Sequence, residues 1–447
     1  MNYKKRDRLV FRKIVLISIF FQTLMIFYTL IPPFLVAIIS FCGFLYYTWN
    51  LKKFFNIADS LLLTSILYIP TSTISVFGTS YSNLPLTWHN IIILLLMMYI
   101  AIEGTMNRSY LIILLTFLFF GLISSIKLPF IGDAFKQLLT ISLFICSFLI
   151  GKRFKVYGDK LSDVGWKFYF IGVVSLALQV FIQRIYIVST GDIIGNYAVM
   201  GINRIAYAGL MGDFSFAGLY LATGCLYAFI KYVHLKDWNL VYFITVEGFF
   251  ISAMLFVSAR TGLIALTITL VLYFLANIKN FSSAHILVLL FGVIAIPLTL
   301  SVLMRERGGQ TLLDSSGRID NYLLSLDAFS NKYFVGYGLG LNNLYNLVGL
   351  AVPHNFFIQY FLQIGIIGTV IILCSFFKFF TEEFRRSGYY KWFFVMITIG
   401  SMFIPDIVSS RFLFAIVVLC MMSATSANRQ NYKMEVKNEK KSRKMGR

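Results

Sequence analysis

Long apolar runs recur through this chain from end to end, and they constrain its fold more than any other feature. Fourteen segments read as candidate spans, roughly 14–31, 34–49, 57–77, 90–103, 110–126, 136–150, 164–188, 214–232, 239–257, 261–277, 285–303, 356–377, 391–404 and 411–425. A helix that crosses a bilayer needs about 20 mostly apolar residues, because its backbone must satisfy itself within the segment. Only 13% of the 447 residues are charged, about half the share of a soluble domain. The expected fold is therefore an all-α polytopic integral membrane protein with about 14 (12–14) transmembrane helices. All of 1–447 reads as a single membrane domain. The first two runs are separated by Pro32-Pro33, as a tight helical hairpin or as one region, and dropping a hairpin gives the twelve-span version. The first run follows a basic start and has no small-residue cleavage site, so it reads as a retained helix.

Charge placement sets the orientation. The N-terminal tail carries Lys4, Lys5, Arg6, Arg8, Arg12 and Lys13, and the tail over 428–447 carries eight more Lys and Arg. The positive-inside rule puts both termini in the cytoplasm. In that frame 29 of the 39 Lys and Arg are inside and 10 are outside. Two outer loops are long, 189–213 and 304–355. The net charge of +20 is spread over short loops and tails, which argues against a nucleic-acid partner, and the basic tail suits an anionic lipid surface. Cys42, Cys146, Cys225, Cys374 and Cys420 all fall in apolar runs and read as small buried hydrophobes, with no metal-ligand or disulfide spacing.

The basic residues on the outer side run against the bias and so are candidates for function. They include Arg204 in the first long loop, Arg260 in the turn Ser258-Ala259-Arg260-Thr261-Gly262, and Arg305, Arg307 and Arg318 in the second, with Arg411 opening the last span. A planar guanidinium grips phosphate oxygens in two places; the plainer reading is an interface anchor or an ion pair. His354, beside Asn355 and behind Pro353, stands at a helix mouth with a side chain suited to proton transfer near neutral pH. His89 beside Trp88 reads as an interface residue. Gly365 and Gly368 offer a small face for helix packing. Glu247 lies within a span, as a functional carboxylate or a buried structural partner. Walker, Rossmann and HExxH motifs are absent from the sequence.

Four of these stretches together resemble the O-antigen polymerase and ligase superfamily, the Wzy-type polymerases and their relatives. His354-Asn355, nine residues, then Gly365-Ile366-Ile367-Gly368 is similar to its HN-x9-GxxG pattern. Ser316-Gly317-Arg318 followed by Asn331 to Gly340, the Ser258 to Gly262 turn, and Asn203-Arg204 with Gly212-Asp213-Phe214 resemble its other stretches, in the same order. The resemblance covers roughly 200–370. It implies a metal-independent, cofactor-free membrane glycosyltransferase at the outer face of the bacterial cytoplasmic (inner) membrane. The donor would be an undecaprenyl-diphosphate-linked glycan. Arg204, Arg260, Arg318 and Arg305 would hold the diphosphate, with Arg260 and His354 catalytic and Asn355 beside the glycan. A surface polysaccharide polymerase (O-antigen, capsule or exopolysaccharide) is the first expectation. A ligase acting on lipid A core is the second, and a lipid-linked oligosaccharide flippase is the reading from another class. Membrane lipid, a chain-length regulator and a flippase are the expected partners.

Overall fold

The computed structural model describes residues 2–80, 85–155, 159–200, 204–306, 318–349 and 352–423. Its elements in chain order are α1 (Asn2–Leu24), α2 (Pro33–Lys52), α3 (Ile57–Leu67), α4 (Trp88–Ile102), α5 (Arg108–Ser125), α6 (Ile131–Phe154), α7 (Asp159–Thr190), β1 (Asn196–Met200), β2 (Arg204–Gly209), α8 (Phe214–Val233), α9 (Leu240–Val257), α10 (Arg260–Ala276), α11 (Ser283–Glu306), α12 (Arg318–Asn331), α13 (Leu341–Val348), α14 (Phe356–Glu382) and α15 (Lys391–Ser401). The last is α16 (Arg411–Ser423). Every one of the fourteen predicted runs contains a helix, but among the described residues eight helical segments are long and apolar enough to cross a membrane. Others are shorter, as α3, α10 and α15 are at 11, 17 and 11 residues. The Pro32-Pro33 pair separates two helices, Pro33 taking the first helical position of α2, where its missing N–H costs nothing.

The chain is mostly helical, as expected, with one short antiparallel hairpin, β1–β2, in the 189–213 loop. Within the 304–355 stretch lie the helices α12 and α13. The tail over 428–447, Arg307, and Ser316-Gly317 lie outside the described residues.

Polar residues at the segment boundaries start the helices. Asn56, Thr87, Asn107, Asp213 and Asn239 each accept a hydrogen bond from a first-turn N–H of α3, α4, α5, α8 and α9. A cap of this kind contributes about 1 kcal/mol. Between the caps the helices pack through a continuous apolar core that includes Trp166, Tyr169, Tyr220 and Phe393. Cys146, Cys225 and Cys420 are buried as expected, whereas Cys42 and Cys374 are exposed.

A second set of buried groups is polar. On α7, Gln183 donates to the carbonyls of Ile194 and Asn196 and accepts from Gly209 N, at 2.6, 2.9 and 3.0 Å. One turn earlier, Gln179 accepts from Leu210 N at 3.0 Å and donates to the Gln22 carbonyl of α1 at 2.8 Å. These amides pin the β-hairpin to the helix ends. His89 is also inside: it is 2% exposed and its Nδ1 lies 2.9 Å from the Ser65 carbonyl. The interface role expected for it does not hold, because α3 and α16 cover it. Glu247 is buried beside Cys225 of α8, as a structural partner would be.

Candidate active site

The site is built around a break in α14. Gly365 has φ 62° and ψ −169°, outside the helical region, so the helix loses its regular N–H to C=O bonds there. A stretch of backbone from the preceding segment replaces them. Tyr337 N and Gly338 N donate to the carbonyls of Leu362 and Gln363, each at 2.7 Å. Ile366 N and Ile367 N donate to the carbonyls of Tyr333 and Phe334 at 2.8 and 3.3 Å. Two carbonyls and two N–H groups around the break thus find partners, as a buried backbone requires.

This contact explains two glycines at once. A Cβ on Gly365 would lie 2.4 Å from the Phe334 carbonyl, and one on Gly336 (φ 74°) would lie 2.5 Å from the Gln363 carbonyl carbon. Both chains must come together without side chains. Gly368 meets Ile364 of its own helix across the break. Of the pair expected to pack helix on helix, Gly365 thus meets the crossing segment and Gly368 its own helix.

The break also turns three buried amides into one network. Gln137 of α6 and Gln363 of α14 exchange reciprocal amide bonds at 2.9 and 3.1 Å. Gly340 N donates to Gln137 Oε1 at 2.6 Å. Gln359 Nε2 reaches Gln363 Oε1 at 3.1 Å, and Gln359 Oε1 accepts from Asp406 N at 2.6 Å. Asp406 holds a left-handed backbone (φ 52°), an unusual state for aspartate that clusters at functional sites. Its Oδ1 accepts from Gln137 Nε2 at 3.3 Å and from the Tyr360 hydroxyl. Burial pushes the Asp406 carboxyl above its ordinary range, against the opposing hydrogen bonds from Tyr360 and Gln137.

Asp406 faces a cleft of about 310 Å³. Lys136 and Arg411 line it as cations, and Asp133, Asp213 and Asp406 as carboxylates. Asp213 caps α8 through Ser215 N at 2.6 Å, and Asp133 takes Asn342 N at 3.0 Å. Arg411 Nη1 donates to the Ser409 carbonyl at 3.1 Å. The lining comes from segments 72–73, 133–140, 211–216, 340–341 and 404–411, all at helix ends or loops on the side that the charge count puts outside. Cations able to hold an anion and carboxylates able to accept from hydroxyls share one space.

Of the motif stretches, Gly212, Asp213 and Gly340 line this cleft, whereas the candidate site residues named from the resemblance are not in its described lining. Arg260 starts α10 directly after Ser258, whose left-handed backbone (φ 57°) ends α9. A Cβ on Gly262 would lie 2.2 Å from the Gly218 carbonyl oxygen, so the turn packs backbone to backbone on α8, near its Asp213 cap. His354 precedes α14, and its carbonyl accepts from the Tyr322 hydroxyl of α12 at 2.7 Å. Asn355 spends its side-chain oxygen capping α14, on Phe357 N and Ile358 N at 3.0 and 3.2 Å. The described lining of the cleft includes neither Arg260 nor His354. Arg204 starts β2, Arg318 starts α12, and Arg305 is next to last in α11; for these three the structure gives the backbone position.

Gln137, Gln359, Gln363, Tyr360 and Asp406 are not apparent from charge alone. The available signal was glutamine in apolar helices, spaced i, i+4 in α14 and again at 179 and 183 in α7. Such amides share a face and need partners inside the bundle.

Residues 248–373 match a protein-family model described as O-antigen ligase. No curated protein matches the chain. The matched segment runs from α9 through the break in α14 and includes Arg260, His354, Gly336 and Gly365. Lys136, Gln137, Asp406 and Arg411 lie on either side of it. Over residues 248–373 the chain is thus similar to the O-antigen ligase family, consistent with the superfamily that its motifs resemble.

Proposed function

We propose that this protein is a membrane glycosyltransferase that joins undecaprenyl-diphosphate-linked repeat units into a surface polysaccharide at the outer face of the cytoplasmic membrane. The observation that carries the reading is the polar cleft lined by Gln137, Gly340 and Asp406, which the amide network ties to the break in α14. There Gly340 and Leu341 of the matched segment meet Asp406, Arg411 and Lys136 from outside it. In the reaction an acceptor sugar hydroxyl attacks the anomeric carbon of the donor. The new glycosidic C–O bond forms as the bond to the diphosphate breaks, and the diphosphate leaves with the electron pair. Lys136 and Arg411 stabilise that developing charge, with Arg260, Arg204, Arg318 and Arg305 as further candidates from the motifs. The hydroxyl proton passes to a base, for which Asp406 in the cleft and His354 at the head of α14 are the two candidates.

The reading is tested by glycan ladders from cells that carry single variants at matched protein level. His354→Ala, Arg260→Ala, Asp406→Asn and Arg411→Ala are each expected to abolish long chains. Normal ladders from all four would remove the site assignment.

A ligase reading has one observation in its favour, the description of the matched family model. Deletion of the gene separates the two. Single repeat units at the surface mark loss of a polymerase, and long chains left on the lipid diphosphate mark loss of a ligase. Blocked single units on the inner leaflet would mark a flippase.

A further inference from the structure

At the opposite end of the bundle lies a second concavity that the transfer reaction does not use. It has a volume of about 420 Å³ and is lined by Lys52, Lys53, Phe54, Phe55, Asn56, Asp59, Lys160 and Leu161. It forms where the end of α2, the start of α3 and the start of α7 meet. The charge count puts these segments on the cytoplasmic side.

Three lysines face one carboxylate here. Lys53 donates to Asn50 Oδ1 at 2.9 Å, and Lys160 lies 6.0 Å from the Phe55 ring centre. Among the described residues none of the three forms an ion pair. All three are exposed, whereas Lys152 and Lys231 on the same side sit in ion pairs with Glu382, Glu383, Asp237 and Asp163. Asp59 is 8% exposed, and its Oδ1 takes no hydrogen bond among the described residues. It leaves an acceptor at the floor of the cup. Trp49 and Ile57 beside the cup are 68% and 38% exposed, as side chains facing lipid at the membrane boundary are. Phe11 of α1 stacks on Phe168 of α7 at 5.4 Å, which brings the basic start of α1 to the same end.

We propose that this cup binds the headgroup of an anionic glycerophospholipid of the cytoplasmic leaflet, with Lys52, Lys53 and Lys160 on the phosphate and Asp59 accepting from a headgroup hydroxyl. The three lysines converge on a concave space with lipid-facing side chains beside it, which a soluble anion does not need. Basic pockets between helices on this side of a membrane suit such lipids. The site is independent of the transfer chemistry at the other end.

The test uses the full-length protein, purified and examined by native mass spectrometry after exchange into defined lipids. Dioleoylphosphatidylglycerol should be retained over dioleoylphosphatidylcholine and dioleoylphosphatidylethanolamine. Its retention should fall about five-fold for each lysine changed in Lys52→Gln, Lys53→Gln and Lys160→Gln. Lys279→Gln, a basic residue of the same side outside the cup, should leave retention unchanged. Equal retention of the three lipids would overturn the proposal, as would an equal loss in Lys279→Gln. Displacement of the phosphatidylglycerol by millimolar inorganic pyrophosphate would assign the cup to a soluble phosphate and overturn it as well. Thermal unfolding in phosphatidylcholine should be the same for all variants, and a collapsed melt in the triple variant moves the test to the three single ones.

Discussion

The two ends of this bundle are held together by different chemistry. At the inner end, charges close the structure: Glu383, with a side chain 0% exposed, receives Lys152 at 3.1 Å and Lys155 at 2.6 Å, and Arg153 reaches Glu103 at 2.6 Å. At the outer end, three glutamines, a tyrosine and a backbone crossing do the closing, and the charged residues Lys136, Arg411 and Asp406 face a cleft. Ion pairs consume charge where it is needed only for cohesion. Neutral amides hold the outer end together with Asp406, where Lys136, Arg411 and Asp406 line the cleft. From this contrast we propose that cohesion belongs to one end and chemistry to the other.

The largest effect that would break or support this contrast is on transfer. Asp406→Asn should lower the rate by about 10² to 10⁴-fold if Asp406 takes the proton, while the chain still folds. An unchanged rate alongside an inactive His354→Ala would move the base to the head of α14. The pH dependence carries the same information. Because burial raises the Asp406 carboxyl, activity should fall on acidification at a pH above the ordinary carboxylate range. The sign for stability is opposite: the folded chain holds that proton more tightly than the unfolded chain, so stability declines as pH rises through the raised value. Both limbs should vanish in Asp406→Asn.

Next in size is the break itself. Gly365→Ala forces a Cβ against the Phe334 carbonyl and into a left-handed backbone, and should cost about 3 kcal/mol or more. The readout is loss of folded protein by fluorescence-detected size exclusion. At the inner end, Glu383→Gln should lower stability by about 2–3 kcal/mol, since two largely covered lysines lose a buried partner, and leave the transfer rate of the folded protein unchanged. A rate loss as large as that of Asp406→Asn would erase the distinction between the ends. The smallest effect is Asn355→Ala, which removes the α14 cap and should cost about 1 kcal/mol in thermal unfolding. A much larger loss of activity than of stability there would place Asn355 at the substrate.

Much of this architecture was readable in the residues. A helix lies in each of the fourteen apolar runs, because hydrocarbon leaves the backbone no other way to satisfy itself, but among the described residues eight helical segments are long and apolar enough to cross a membrane. The Ser258 to Gly262 turn, Asp213 and the His354 helix start were marked by their side chains. The break in α14 was not, because Gly365 and Gly368 also fit an unbroken small-residue face, and only the arrival of Tyr333 to Gly338 distinguishes the two. Asp406 stayed hidden for a related reason. It is a single acid in a short loop, and its partners Gln137, Gln359 and Tyr360 come from helices hundreds of residues apart in the case of Gln137 and about 47 residues away in the case of Gln359. Local pattern does not carry contacts of that range.

The central claim is tested most directly with purified protein in proteoliposomes supplied with a lipid-linked repeat unit, chain length being read on a ladder gel. Arg411→Ala should yield no product beyond a single unit while its unfolding temperature matches the unaltered chain, and Glu383→Gln should yield a full ladder from whatever fraction remains folded. A full ladder from Arg411→Ala, or an empty one from folded Glu383→Gln, would contradict the assignment of transfer to the outer cleft.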